Sequence, residues 1–178
     1  MALDQTKPVN FRPMQESDLE QVQAIDQLSF SMPWPLNSYR YELKNPAAML
    51  WVAEVGDGEK SSTIIGLIVV WLILEEAHIA TIAVHPDYRG LGIGKKLLAV
   101  ALRESIRRGA GEAMLEVRAH NLTAQAMYRL FGFEVVSRRP HYYRDNNEDA
   151  LLMNVYHLDG NYLEKLEKIV SGDLSEAE

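Results

Sequence analysis

Cysteine is absent from all 178 residues. Disulfides, thiolate metal sites and an acyl-cysteine intermediate are therefore excluded. Long apolar runs are missing too. The stretch from Ile64 to Leu74 is apolar but too short to span a bilayer. The opening MALDQTKPVN carries neither a basic leader region nor an apolar one, so no signal peptide is expected and a cytoplasmic location is. The sequon Asn121-Leu122-Thr123 carries no weight in a chain that is not secreted. Positive charge is in deficit, with a formal net charge of −7. That disfavours nucleic acid as the main partner and suits a cationic one, such as an amine or a basic peptide. Hydrophobic residues at 47% place the chain among ordinary globular proteins.

No internal repeat is present. VNFRP reads as a first strand. Ser17-Asp18-Leu19-Glu20 fits a capping box ahead of an apolar face of Leu19, Val22, Ile25 and Leu28, a helix ending near Phe30. SMPWPLNS is a proline-broken loop, followed by a short helix from Asn37 or Ser38 to Leu43. AMLWVAEV and TIIGLIVVWLIL read as strands around the polar turn GDGEKSS. AHIATIAV is the next strand, ending at His85-Pro86. KKLLAVALRESIRRG has helical period and a stop signal at Arg107, Arg108 and Gly109. AMLEVRA is a strand, and NLTAQAMYRLFGF a short helix stopped by Gly132. EVVSRR and DALLMNVY are the last strands, joined by the loop PHYYRDNNE. The tail from Asp159 reads as a weak helix with a frayed acidic end. Two strands precede the first crossover helix directly, so the class is α/β (α+β) with a mixed, mostly antiparallel sheet.

YRGLGIGKKLL lies between a strand and a helix. It fails the dinucleotide fingerprint, because Lys95 stands where the third glycine belongs. It fails the Walker pattern, because Arg89 and Lys96 stand where a glycine and a hydroxyl are required. A glycine-rich helix start still offers free amides and a partial positive charge to an anion. Arg89, Lys95 and Lys96 add charge. A pyrophosphate held as a handle, with no metal, fits; a plain glycine turn with solvated lysines is the alternative.

Arg89-Gly90-Leu91-Gly92-Ile93-Gly94 matches the [QR]-x-x-G-x-[GA] loop of the GNAT acetyltransferases. IAVHPDYRGLGIGKKLL and LEVRAHNLTAQAMYRLFGF are both similar to that family's core. RRPHYYRDNNEDALLM and SFSMPWPLNSYRYEL resemble a narrower group, the RimI-like and archaeal protein N-terminal acetyltransferases. The resemblance covers roughly residues 9 to 156. It implies a single GNAT domain over 1–158, a helix and acidic flexible tail over 159–178, and acetyl-CoA as cosubstrate without metal. The loop Arg89–Lys95 would hold the pyrophosphate. The backbone of Ile82, Ala83 and Val84 would meet the pantetheine and the acetyl carbonyl. Asn121 would touch the CoA arm, although as a residue it reads first as a helix N-cap.

Direct attack of an amine on a thioester needs a neutral amine and a protonated leaving group. The resemblance makes Glu116 the general base and Tyr128 the general acid. Read as residues alone, Glu116 is equally a strand carboxylate paired with Arg118 on the same face, and Tyr128 a core aromatic beside Met127 and Phe131. His78 matches a histidine of archaeal and eukaryotic relatives and is otherwise a structural strand histidine. Pro33, Trp34, Tyr142 and Tyr143 would flank the substrate N-terminus, or simply pack their loops. SMPWP departs from the commoner F-P-x-P-W arrangement. The expected activity is N-α-acetylation of a protein N-terminus, with a basic ribosomal protein as partner and neither nucleic acid nor membrane involved. Acetylation of a small amine or a lysine side chain, and a non-catalytic acetyl-CoA-binding module, are the rival readings.

Overall fold

The computed structural model describes residues 8–56 and 62–171. The first seven residues, most of the polar turn GDGEKSS and the acidic end from 172 lie outside the described residues. Among the described residues the order is β1 (Val9–Pro13), α1 (Leu19–Ser29), α2 (Leu36–Glu42), β2 (Ala48–Val55), β3 (Thr63–Ile73), β4 (Glu76–Val84), α3 (Ile93–Arg107), β5 (Glu112–Arg118), α4 (Leu122–Leu130), β6 (Glu134–Tyr143), β7 (Glu148–Tyr156) and α5 (Gly160–Ser171).

The strands form a seven-stranded sheet in the order β1-β2-β3-β4-β5-β7-β6. β4 and β5 pair in parallel, while β1 with β2, β2 with β3, β5 with β7 and β6 with β7 are antiparallel. A parallel pair needs a crossover, and α3 supplies it. Two compact units are distinguished, one of Met1–Trp71 with Thr81–Ala101, the other of Leu72–Ala80 with Leu102–Glu178. The first has its core in β2 and β3, where Val52, Ala53, Ile65 and Leu67–Val70 are fully buried with Val22 and Leu97. The second is built around Leu115, Phe133, Met153 and Leu166. There the Tyr162 hydroxyl donates to the Phe131 carbonyl at 2.7 Å, anchoring α5.

Three expectations need correction. The capping box does not form at Ser17. A 3-10 turn, Glu16–Asp18, precedes α1. The Asp18 carboxylate accepts the Gln15 amide at 2.7 Å and pairs with Arg12 at 2.7 Å. Burial pushes that carboxyl up, and these two partners more than offset it, leaving it below its usual range.

Leu28 is not on the buried face of α1; it is 58% exposed. At 3.6 residues per turn it stands about 180° round from Leu19, and Asp26 takes the inward place instead.

The loop expected over 140–148 is confined to the turn 144–147. β6 continues to Tyr143, with register shifts between Val135 and Ser137 and between Arg139 and Tyr143. Such irregularities let a strand carry proline and still pair, so Pro140 does not end β6.

Candidate active site

Alternation along β5 buries Ala113, Leu115 and Val117 and places Glu116 and Arg118 on the other face. On β4, Ala77 and Ile79 are buried and His78 faces the other way. The parallel register sets His78 beside Met114. His78 and Glu116 are therefore diagonal neighbours on one face, with Nε2 2.7 Å from Oε2. Arg139 reaches over β7 from the edge strand, and its Nη1 lies 3.2 Å from Glu116 Oε1. The hydrogen bond from His78 holds the Glu116 carboxyl below its usual range. Burial opposes this, and the charge of Arg139 adds to it. Glu116 is an anion at neutral pH.

The expected pair of Glu116 with Arg118 is not formed. Residues two apart on a strand are separated by about 6.6 Å, and Arg118 finds closer acceptors. It donates to Glu148 at 3.0 Å, Asn146 at 3.1 Å and Asp145 at 2.8 Å. Its guanidinium carbon also lies 3.9 Å from the centroid of the Tyr143 ring. The phenol of Tyr143 is pushed up to about 12, by burial first, with Arg118 opposing. Tyr142 meets Tyr143 edge-on at 5.2 Å and is exposed.

Tyr128 is buried in α4, its ring 5.9 Å from that of Phe133. Burial, and secondarily Tyr143, holds its phenol well above the usual range. It stays protonated, the state a proton donor must hold. Asn121 caps α4, its Oδ1 accepting the Ala124 amide at 3.1 Å. Its side-chain nitrogen is not needed for that bond, so capping and ligand contact are compatible.

In the other unit, β4 ends at Val84 and a turn over Pro86–Tyr88 leads to the glycine loop. Buried Tyr88 and Ile93 pin the loop at both ends. Arg89 braces it, with Nε donating to the Val84 carbonyl at 3.0 Å and Nη2 to Ser29 Oγ at 3.1 Å. Two of the donors expected to meet an anion thus hold the loop itself. Gly90 and Gly92 have φ of +79° and +75°, where other residues are strained. A Cβ on either would meet nothing within 4 Å. These glycines serve backbone shape and an open approach, not internal packing. The first α3 bond runs from the Lys96 amide to the Gly92 carbonyl, 3.1 Å. The amides of Ile93, Gly94 and Lys95 are left at the positive end of the helix. An open glycine surface beside outward amides and exposed Lys95 fits a bound pyrophosphate. Of the residues leading in, Ala83 is buried, while Ile82 and Val84 are half-buried.

Pro33 is exposed, whereas Trp34 stacks on Trp71 with ring centroids 6.0 Å apart. The Trp34 amide donates to buried Asp26 at 2.6 Å. Asp26 escaped the sequence reading, yet a signal existed: it stands four residues from Val22 and seven from Leu19, on the face where apolar residues belong. Arg139 escaped it too, with no local signal. Among the described residues no group of His, Asp or Glu is placed to hold a metal ion, and no helix is long and apolar enough to cross a membrane.

The acetyltransferase (GNAT) family profile matches residues 19–133. The chain is 36% identical over 143 residues to a Bacillus subtilis (strain 168) protein provisionally named ribosomal protein bS18-alanine N-acetyltransferase, covering 80% of this chain and 91% of that protein. The crystal structure of the Escherichia coli ribosomal-protein-S18-alanine N-acetyltransferase superposes with a TM-score of 0.74 at 27% identity, covering 84% of this chain and 94% of that one. The NatC complex bound to Gag peptide and CoA gives a TM-score of 0.73 at 26% identity, covering 83% of this chain and 98% of that one. The protein is an acetyl-CoA-dependent N-acetyltransferase. The chain belongs to the GNAT acetyltransferase family.

Proposed function

We propose that this enzyme acetylates the α-amine of a protein N-terminus, that of a ribosomal protein, in the cytoplasm. The observation that carries the reading is the anionic Glu116 carboxylate 2.7 Å from His78, on the face where Tyr143 also stands. The names of the Bacillus subtilis and Escherichia coli relatives support the ribosomal target. The solved complex of a relative with both peptide and CoA supports a ternary complex. The net charge of −7 suits a basic partner.

In this proposal the glycine loop holds the pyrophosphate of acetyl-CoA, and the amine attacks the thioester directly. Glu116 draws the ammonium in and takes its proton, with His78 holding the carboxylate in place. Tyr128 gives a proton or hydrogen bond to the departing thiolate. Asn121 and the strand end Ile82–Val84 orient the CoA arm. Pro33, Trp34, Tyr142 and Tyr143 line the path of the peptide.

The test offers acetyl-CoA with three acceptors: an alanine-initiated peptide copying the bS18 N-terminus, the same peptide with a blocked α-amine and a free lysine, and a small polyamine. Thiol release and fragment masses locate the acetyl group. Acetylation confined to the α-amine is expected. Transfer only to lysine or polyamine, or none at all, overturns the reading.

A further inference from the structure

Both oxygens of the Glu116 carboxylate are engaged before any substrate arrives, and the two partners are held differently. His78 is on the neighbouring strand at 2.7 Å, its side chain 21% exposed. Arg139 is at 3.2 Å and 48% exposed. It sits on the edge strand, where β6 shifts register between Arg139 and Tyr143. A second resting place lies close by, since its guanidinium carbon is 5.7 Å from the Tyr142 ring centroid.

A substrate ammonium seeks what Arg139 already has, an anionic oxygen at the open side of Glu116. A half-exposed ion pair contributes little stability, so exchanging one cation for another there costs little. Leaving both in place would set two like charges on one oxygen.

We infer that Arg139 is a displaceable counter-ion: it occupies the place on Glu116 Oε1 that the substrate's ammonium takes, and swings toward the Tyr142 ring when the peptide binds. Arg139 is thereby a positioning residue. It keeps the carboxylate ionised and aimed while the site is empty, and it sets a threshold that the incoming amine must exceed. The inference rests on the proposed role of Glu116.

The test measures peptide affinity by calorimetry with CoA bound, so that no turnover occurs, for Arg139→Met and Arg139→Gln in wild-type and Glu116→Gln backgrounds. Removing the competitor should tighten peptide binding about two- to fivefold in the wild-type background. It should change nothing in the Glu116→Gln background, where a neutral amide attracts neither cation. Unchanged or weaker binding in either folded variant overturns the inference, as does an equal gain in both backgrounds. In the unmutated protein, the Arg139 Nε–H resonance should shift on peptide titration, and an unmoved resonance also overturns it. The rate of Glu116→Gln reports the base assignment separately, so the two ideas can fail independently.

Discussion

His78 Nε2 lies 2.7 Å from Glu116 Oε2, although 38 residues separate them in the chain. The pair exists because β4 and β5 run parallel in a register that makes the two side chains diagonal neighbours. A carboxylate held below its usual range is by itself a weak base for an ammonium whose pKa is about 8. The same hydrogen bond fixes where the carboxylate points, and the task of drawing in the ammonium falls to its charge.

Glu116→Gln should slow turnover at neutral pH by about 10²–10⁴-fold. It should recover part of its rate as pH climbs through about 8, where solution supplies neutral amine. Wild type should level off at lower pH. A pH–rate profile on saturating peptide, with thermal melts alongside, decides the matter. Parallel profiles with a lowered melting temperature would reduce Glu116 to a structural partner of His78 and Arg139.

Tyr128→Phe should lower turnover by tenfold or more on the order-of-magnitude scale of acid catalysis, and leave acetyl-CoA affinity nearly intact. The ring packs on Phe133 in either case, so the fold should persist. Turnover within about twofold of wild type would leave Tyr128 as core packing alone.

Gly92→Glu should abolish acetyl-CoA binding in a folded protein. The new side chain enters open space rather than the core, carries a repelling charge to the helix start, and strains a φ of +75°. Gly92→Ala separates the causes: it keeps the strain, adds no charge and should lose less affinity. Calorimetry showing wild-type affinity for Gly92→Glu would remove the phosphate-loop assignment.

Glu148 is held down to about 2, first by the His120 amide, with burial opposing and Asn146, Arg118 and the His120 ring assisting. An unfolded glutamate titrates near about 4.3. A depressed carboxyl contributes stability that is complete above the unfolded value and is lost as pH falls toward the folded one. Glu148→Gln should therefore melt lower than wild type at pH 7, and the gap should close between about pH 4.3 and 2. A gap that persists unchanged at low pH would mean that packing, not charge, links Glu148 to Arg118.

Much of the fold was legible because its signals are local. Strand periods, the glycine loop and the helix stop at Gly109 depend on neighbouring residues, and the structure places them where the pattern did. The Ser17 box failed because Arg12 and the Gln15 amide hold the Asp18 side chain in a 3-10 turn. Leu28 failed by helical phase alone: nine residues past Leu19 it lies half a turn round, while Asp26 falls on the inward side.

By itself, then, the sequence determined the succession of elements, the absence of thiol chemistry and a helix start open to an anion, since composition and φ preferences need no distant neighbour. Only the tertiary structure decided what Glu116 touches. Arg118, two residues away, turns to Asp145 and Glu148, while His78 and Arg139 arrive from 38 and 23 residues away. Which side chains share a face across strands depends on register, and on β6 the register depends on irregularities that no local pattern of residues specifies.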